Sequence, residues 1–273
     1  MELTVRYGLE FNPFLKNSKE ILYTGNEYKE ALFRLDYLSR TKGFGLLTGS
    51  PGRGKTTVVR NWSTSLNSSL YKVVYTSLST VTVNDFYRNL ATSLGAQAAY
   101  RKTENFYAIQ NEIQRLSVEK KKTPVIIIDE ANYISNAVLN DLKILFNFEM
   151  DSRDLAVVLL VGLPQLNNTL QLAIHEPLRQ RIVMNYNLEG LTKEEGRAYI
   201  AAKLKGAGCT QPVFDESAVE AILNAADGTA RLISKICNAS LVIGNTQELN
   251  TITAETVMQA INDSTLGLSG SRN

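Results

Sequence analysis

The chain has 273 residues, 44% of them hydrophobic and 21% charged. Its 17 Gly and 6 Pro make up about 8% of the chain, below the usual share of roughly 12%, which excludes collagen-like, linker-like and low-complexity classes. Lys and Arg number 29 against 27 Asp and Glu, a net charge of +2, too mild to announce a nucleic-acid partner by itself.

This length suits one or two domains with a sizeable core. In chain order, the first element is a helix over residues 27–38, where Tyr28, Ala31, Leu32, Leu35 and Leu38 fall on one stripe. A short apolar strand, Phe44 to Thr48, runs into a glycine-rich turn and then a helix from Lys55 to Leu66. Lys72 to Ser77 makes a second strand, followed by helices over residues 83–94 and 104–121. Pro124 to Ile128 is the third strand and Ala156 to Val161 the fourth. These apolar runs do not alternate with polar residues, as expected of strands covered on both faces of a parallel sheet. Their interleaving with helices is the doubly wound α/β pattern.

Past Leu188 the pattern changes. Helices are expected over residues 192–205, 215–226, 229–243 and 253–262, with no strand between them. Thr192 with Glu195 makes a capping-box pair, and Thr253 with Thr256 a weaker start. The division is therefore an α/β domain over 1–187 and a small all-helical domain over 188–273, whose tail at 266–273 is expected to fray. Two cysteines, Cys209 and Cys237, and one histidine, His175, are too few for a Cys/His metal site or a disulfide framework. The opening Met1-Glu2-Leu3-Thr4-Val5-Arg6 lacks an apolar leader core. The longest apolar stretch, Leu155 to Leu163, has nine residues, where a membrane-spanning helix needs ~20. The expectation is a soluble, cytoplasmic chain with no membrane segment.

Gly49-Ser50-Pro51-Gly52-Arg53-Gly54-Lys55-Thr56 fits G-x-x-x-x-G-K-[ST] in full, between a predicted strand and a predicted helix. Glycines let backbone N–H groups converge on phosphate oxygens with no Cβ in the way, and the helix N-terminus adds its partial positive charge. Lys55 is placed to neutralise the β- and γ-phosphates and Thr56 to offer a hydroxyl to Mg2+. Outside this strand–loop–helix setting the motif would be only a glycine turn. The second element is Val125-Ile126-Ile127-Ile128-Asp129-Glu130, a buried strand ending in adjacent carboxylates. Asp129 suits Mg2+ or its water shell, and Glu130 is the candidate base that orients or deprotonates an attacking water. A phosphate loop followed by an Asp-Glu pair argues for hydrolysis rather than transfer to a small molecule.

Three arginines complete the candidates. Arg179 and Arg181 lie in Pro177-Leu178-Arg179-Gln180-Arg181-Ile182, and Arg231 in Gly228-Thr229-Ala230-Arg231. A cation at the γ-phosphate stabilises the spread negative charge of the transition state and can come from a neighbouring subunit. Any one Arg, taken alone, is more often a surface or salt-bridge residue.

These residues together resemble an AAA+ ATPase, and more narrowly the ExeA/TnsC/IstB-like group of bacterial ATPases. Tyr7-Gly8-Leu9 followed by Phe11-Asn12-Pro13-Phe14 is similar to the group's opening signature, and Phe44 to Thr57 to its phosphate loop. Leu188 to Ile200 resembles the start of its helical lid. The resemblance implies a P-loop AAA+ sheet followed by that lid, binding ATP and Mg2+. It places Phe11, Pro13 and Phe14 near adenine and Thr57 among the nucleotide-binding residues. It also makes Arg231 the lid arginine that touches nucleotide, and Arg181, with Arg179 as runner-up, the trans-acting finger. Gln165 falls near the expected polar residue after the fourth strand, where this sequence departs from the usual Asn or Thr.

For partners, the resemblance implies a homo-oligomeric ring or filament on double-stranded DNA, gripped through phosphates, that recruits or activates a DDE transposase. Asn84, Arg101, Lys102 and Thr103 are the DNA candidates it offers; the bland alternative is a solvated loop. Secretion-type ExeA proteins usually carry further membrane and cell-wall-binding portions, absent from this sequence, so the transposition branch is expected to lead and an envelope or secretion ATPase to be the alternative. A small-molecule kinase or a GTPase fares worse, since no N-K-x-D signature is present. Trp62 reads as core, His175 and both cysteines as structural, Tyr23, Tyr75, Tyr100 and Tyr133 as dispersed, and Glu119 to Lys122 as a solvated helix end.

Overall fold

The apolar runs assemble into a parallel sheet of β1 (Gly43–Gly49), β2 (Tyr71–Thr76), β3 (Thr123–Ile128), β4 (Val157–Gly162) and β5 (Ile182–Leu188), in the order β2-β3-β4-β1-β5. The computed structural model describes residues 2–77 and 82–264, and the tail at 266–273 lies outside them. Register pairs Leu46 with Leu160 and Ile126 with Val158. The central strands β1 and β4 are buried along their whole length. The edge strand β5 is an element the sequence reading lacks: its apolar residues alternate with Asn185 and Asn187, because only one of its faces is covered.

The helices are α1 (Leu3–Arg6), α2 (Asn26–Thr41), α3 (Lys55–Ser65), α4 (Val83–Leu94), α5 (Lys102–Gln114), α6 (Asn136–Leu145), α7 (Gln165–Leu170), α8 (Glu176–Arg179), α9 (Lys193–Gly206), α10 (Glu216–Ala226), α11 (Ala230–Thr246) and α12 (Ala254–Ser264). The helix expected over 104–121 is α5 followed by a π-helical turn at Arg115–Glu119. Helices α6, α7 and α8 are further additions.

The chain divides into two compact units, one of residues 28–50 and 55–188, the other of residues 1–27, 51–54 and 189–273. In the first, strand alternation sends Leu47, Val125, Ile127, Leu159 and Val161 to one face, against Leu35, Leu38, Val58, Val59 and Trp62. It sends Leu46, Ile126, Ile128, Val158 and Leu160 to the other, against Phe86, Leu90, Ile109, Ile113, Leu139 and Leu142. Both faces are covered, which is why the strand sequences are apolar without alternation.

The second unit packs α9–α12 around Ile200, Ile222, Leu223, Ile233, Leu241, Ile252 and Val257. The capping box forms as read: the Glu195 N–H donates to Thr192 Oγ1 and the Thr192 N–H to Glu195 Oε2, both at 3.2 Å. A parallel bridge joins Phe214 to Ile252. Residues 1–27, placed by sequence with the α/β domain, pack instead with these helices, because Tyr7, Leu9 and Phe14 are buried in their core.

Candidate active site

All five strands run parallel, so their carboxyl ends share one edge of the sheet, the usual ligand edge of open α/β folds. The phosphate loop leaves β1 there and the Asp129–Glu130 pair leaves β3. Only β4 lies between them, which sets the two strand ends about 10 Å apart at two inter-strand spacings.

At the β1 end, Lys55 opens α3 with 9% of its surface exposed. Its Nζ donates to the carbonyls of Gly49 at 2.6 Å and Ser50 at 3.1 Å. Thr56 and Thr57 follow, the first exposed. A hydrogen-bonded chain crosses the neighbouring strand ends: Asn167 Nδ2 donates to Thr48 Oγ1 at 3.1 Å, and Thr48 Oγ1 donates to Asn187 Oδ1 at 3.0 Å. These three residues escaped the sequence reading.

At the β3 end, Asp129 is buried, with 6% exposure. Its Oδ1 accepts the Glu130 N–H at 2.9 Å and its Oδ2 the Tyr75 hydroxyl at 2.8 Å, while its own N–H donates to the Thr76 carbonyl at 2.9 Å. Burial, this hydrogen bond and the neighbouring carboxylates raise the Tyr75 phenol to about 12, so it stays a donor at neutral pH. Glu130 is exposed and sits at φ 53°, ψ 35°, a left-handed conformation that costs a side-chain-bearing residue about 1–2 kcal/mol. Strain of this kind clusters at functional sites. Asn132 Oδ1 accepts the Leu163 N–H at 3.0 Å and fixes the exit from β4. Gln165, the residue named for this place by sequence, is exposed, and its side chain makes no hydrogen bond among the described residues.

Among the described residues no three His, Cys, Asp or Glu gather into a metal cage. The oxygens at hand, the Thr56 hydroxyl and the Asp129 carboxylate, fit Mg2+, which takes one or two protein oxygens and fills its shell with phosphate and water.

Within the helical unit, loop residues 51–54 meet the turns before α9 and α11. The Arg231 N–H donates to the Gly52 carbonyl at 3.3 Å. Gly52 has φ +80°, and a Cβ there would stand 2.8 Å from Thr229 and 2.9 Å from Arg231, so both conformation and space demand glycine. The Arg53 guanidinium packs by Gly190 and Gly228 and faces the Asp227 carboxylate at 3.6 Å. Its side chain is thus engaged within the helical unit. Arg231 is exposed and its guanidinium has no partner among the described residues. Phe14 is buried edge-on to Phe214 at 6.4 Å, and Pro13 is buried beside it; Phe11 is half-buried.

The two candidate finger arginines part company. Arg181 Nη1 donates to the Lys143 carbonyl at 2.8 Å, and its Nη2 to the Phe146 carbonyl at 3.0 Å and Asp154 Oδ1 at 3.1 Å. Its guanidinium also stands over the Phe44 ring at 5.2 Å. That is a structural clamp inside its own unit. Arg179, at the end of α8, is exposed and donates to the Leu170 and Gln171 carbonyls.

Asn84 and residues 100–103 do meet: Asn84 Nδ2 donates to the Tyr100 carbonyl at 3.1 Å where the starts of α4 and α5 adjoin. Lys102 is ion-paired with Asp141 at 2.5 Å and stands over the Tyr87 ring; Arg101, Lys102 and Thr103 are all exposed. His175 is fully buried with Nε2 2.9 Å from Asn136 Oδ1, and burial lowers its pKa. Trp62 is core and both cysteines are buried free thiols.

Residues 38–170 match the AAA domain family. Over 241 residues the chain is 32% identical to general secretion pathway protein A of Aeromonas hydrophila; the alignment covers 86% of this chain and 44% of that protein, so the chain spans under half of that relative's length. Among solved structures it is similar to Cdc6p from Pyrobaculum aerophilum, with a TM-score of 0.68 at 17% identity over 94% of this chain and 72% of that one. It is also similar to Drosophila ORC bound to DNA, with a TM-score of 0.69 at 16% identity over 96% and 65%. No helix among the described residues is long and apolar enough to cross a membrane. With its five parallel strands in the order β2-β3-β4-β1-β5 and its phosphate loop after β1, the chain has the α/β P-loop AAA+ fold of these structures, and its residues 38–170 are similar to the AAA domain family.

Proposed function

We propose that the chain hydrolyses ATP with Mg2+ and works as a homo-oligomer. The observation that carries this is the pairing on one sheet edge of Lys55 with Asp129–Glu130, one strand apart, the carboxylate buried and held at both oxygens. Backbone N–H groups of residues 52–56 take the phosphates, and the Lys55 ammonium neutralises their charge. Mg2+, held by Thr56 and Asp129, supplies further charge neutralisation on the phosphate oxygens. Glu130 accepts the proton of the attacking water, and its exposed position leaves room for that water. The family resemblance offers Arg231 as the lid arginine for the nucleotide and Phe11 as the candidate for adenine. Arg179, exposed where Arg181 is clamped, is the finger offered to a neighbouring copy.

What the ATPase serves has two readings. Service to an envelope or secretion assembly is favoured by the 32% identity to general secretion pathway protein A. The missing membrane and cell-wall portions lose their weight against it, since the chain spans 44% of that relative. Duplex-DNA binding is supported by the exposed Arg101 beside the Tyr100 carbonyl that Asn84 holds, and recruitment of a transposase rests on the resemblance to the ExeA/TnsC/IstB-like group. One experiment tests both levels: retention of labelled ATP and release of phosphate by the purified chain, with duplex capture measured with and without ATP at two salt concentrations. ATP-dependent, salt-sensitive capture selects the DNA reading. Turnover without capture selects the assembly reading, and a chain that neither retains nor cleaves ATP refutes the proposal.

A further inference from the structure

Asp129 is gripped from two sides, by the Glu130 N–H on Oδ1 and by the Tyr75 hydroxyl on Oδ2. Tyr75 is the penultimate residue of the edge strand β2, in register with Ile127, two positions before Asp129 on β3. Its neighbours Val74 and Thr76 are buried, whereas Tyr75 itself is 51% exposed. A ring so placed contributes little to the core, so packing does not account for a tyrosine here. Its hydroxyl does have a specific partner, the most buried carboxylate of the site. Each carboxylate oxygen has two lone-pair positions. The amide and the phenol take one on each oxygen and fix the plane of the group, and one position on each oxygen is left over.

We propose that Tyr75 is the positioning residue for Asp129, its hydroxyl setting the carboxylate orientation on which Mg2+ uptake with ATP depends. The proposal rests on the ATP–Mg2+ reading above. It goes beyond the Asp-Glu motif, which says nothing of a residue 54 positions away. Partners of metal-ligand side chains, although outside the coordination shell, are typically worth 10–100-fold in metal affinity.

Tyr75→Phe removes the hydroxyl and keeps the ring. Binding of a fluorescent ATP analogue is measured for wild type and variant in EDTA and across a Mg2+ titration. Equal affinity in EDTA is expected, with the half-saturating Mg2+ concentration raised about 10-fold in the variant and wild-type affinity regained at excess Mg2+. An equal loss in EDTA and in Mg2+ makes Tyr75 a structural residue and overturns the proposal. Identical half-saturation also overturns it, while a Mg2+ response in the wild type leaves the ATP–Mg2+ reading standing. A wild type indifferent to Mg2+ ends both.

Discussion

The carboxyl ends of β1 and β3 face the same edge of one sheet and are built by opposite means. The β1 end is made of backbone: a loop with glycines at 52 and 54 in positive φ, and a lysine whose ammonium rests on the carbonyls of Gly49 and Ser50. The β3 end is made of side chains: a buried carboxylate held by an amide and by a phenol from another strand, followed by a glutamate on strained backbone. Backbone suits a ligand recognised by shape and charge, since N–H groups can surround phosphate whatever is attached to it. Side chains suit a step in which one proton and one water must be placed.

The division predicts different failures at the two ends. Lys55→Ala removes the charge at the backbone end, so ATP affinity falls at least ~100-fold, the scale of a lost charge-assisted contact or two; unchanged affinity by calorimetry would break the comparison outright. Glu130→Gln acts at the side-chain end. It keeps ATP affinity within about 2-fold but slows turnover at least ~100-fold, as expected for loss of a general base. Wild-type phosphate release by that variant takes Glu130 out of the mechanism.

The same contrast explains what could be read from sequence. A backbone loop is written locally, and Gly49 to Thr56 declares itself in eight consecutive residues. The covered strands are equally plain, because burial on both faces leaves no room for polar alternation. Edge strand β5 breaks that signature with Asn185 and Asn187. Helix α6 has a stripe of Val138, Leu139, Leu142 and Leu145 as clear as that of α2, so it was legible in principle and absent only from the elements expected. The grip of Tyr75 on Asp129, the Asn167–Thr48–Asn187 chain and the packing of residues 1–27 with α9–α12 are long-range pairings that no local pattern encodes.

Arg181 belongs to the unwritten class, and a stability measurement sharpens the point. Two residues from Arg179, it has the same local standing, yet it ties down carbonyls at the end of α6 that the helix itself cannot satisfy. Arg181→Ala should cost about 2 kcal/mol of unfolding free energy, the scale for hydrogen bonds from a charged donor. Turnover lost by unfolding is not restored by mixing with Lys55→Ala protein. An undiminished melting temperature together with rescue in mixed assemblies would return the finger role to Arg181.

The smallest effect tests whether the side-chain end is strained. Glu130 is exposed, and its carboxylate has no partner among the described residues, so deleting it forfeits no contact seen in the fold. Its left-handed backbone, however, penalises any residue with a Cβ by about 1–2 kcal/mol, and glycine escapes that penalty at an entropic cost of roughly 0.5–1 kcal/mol. Glu130→Gly should therefore be about 0.5–1 kcal/mol more stable than Glu130→Ala in urea unfolding, although both lack the base and neither turns over. Equal stabilities would mean that the turn after Asp129 relaxes in solution and that the aim of the glutamate is not held by backbone strain.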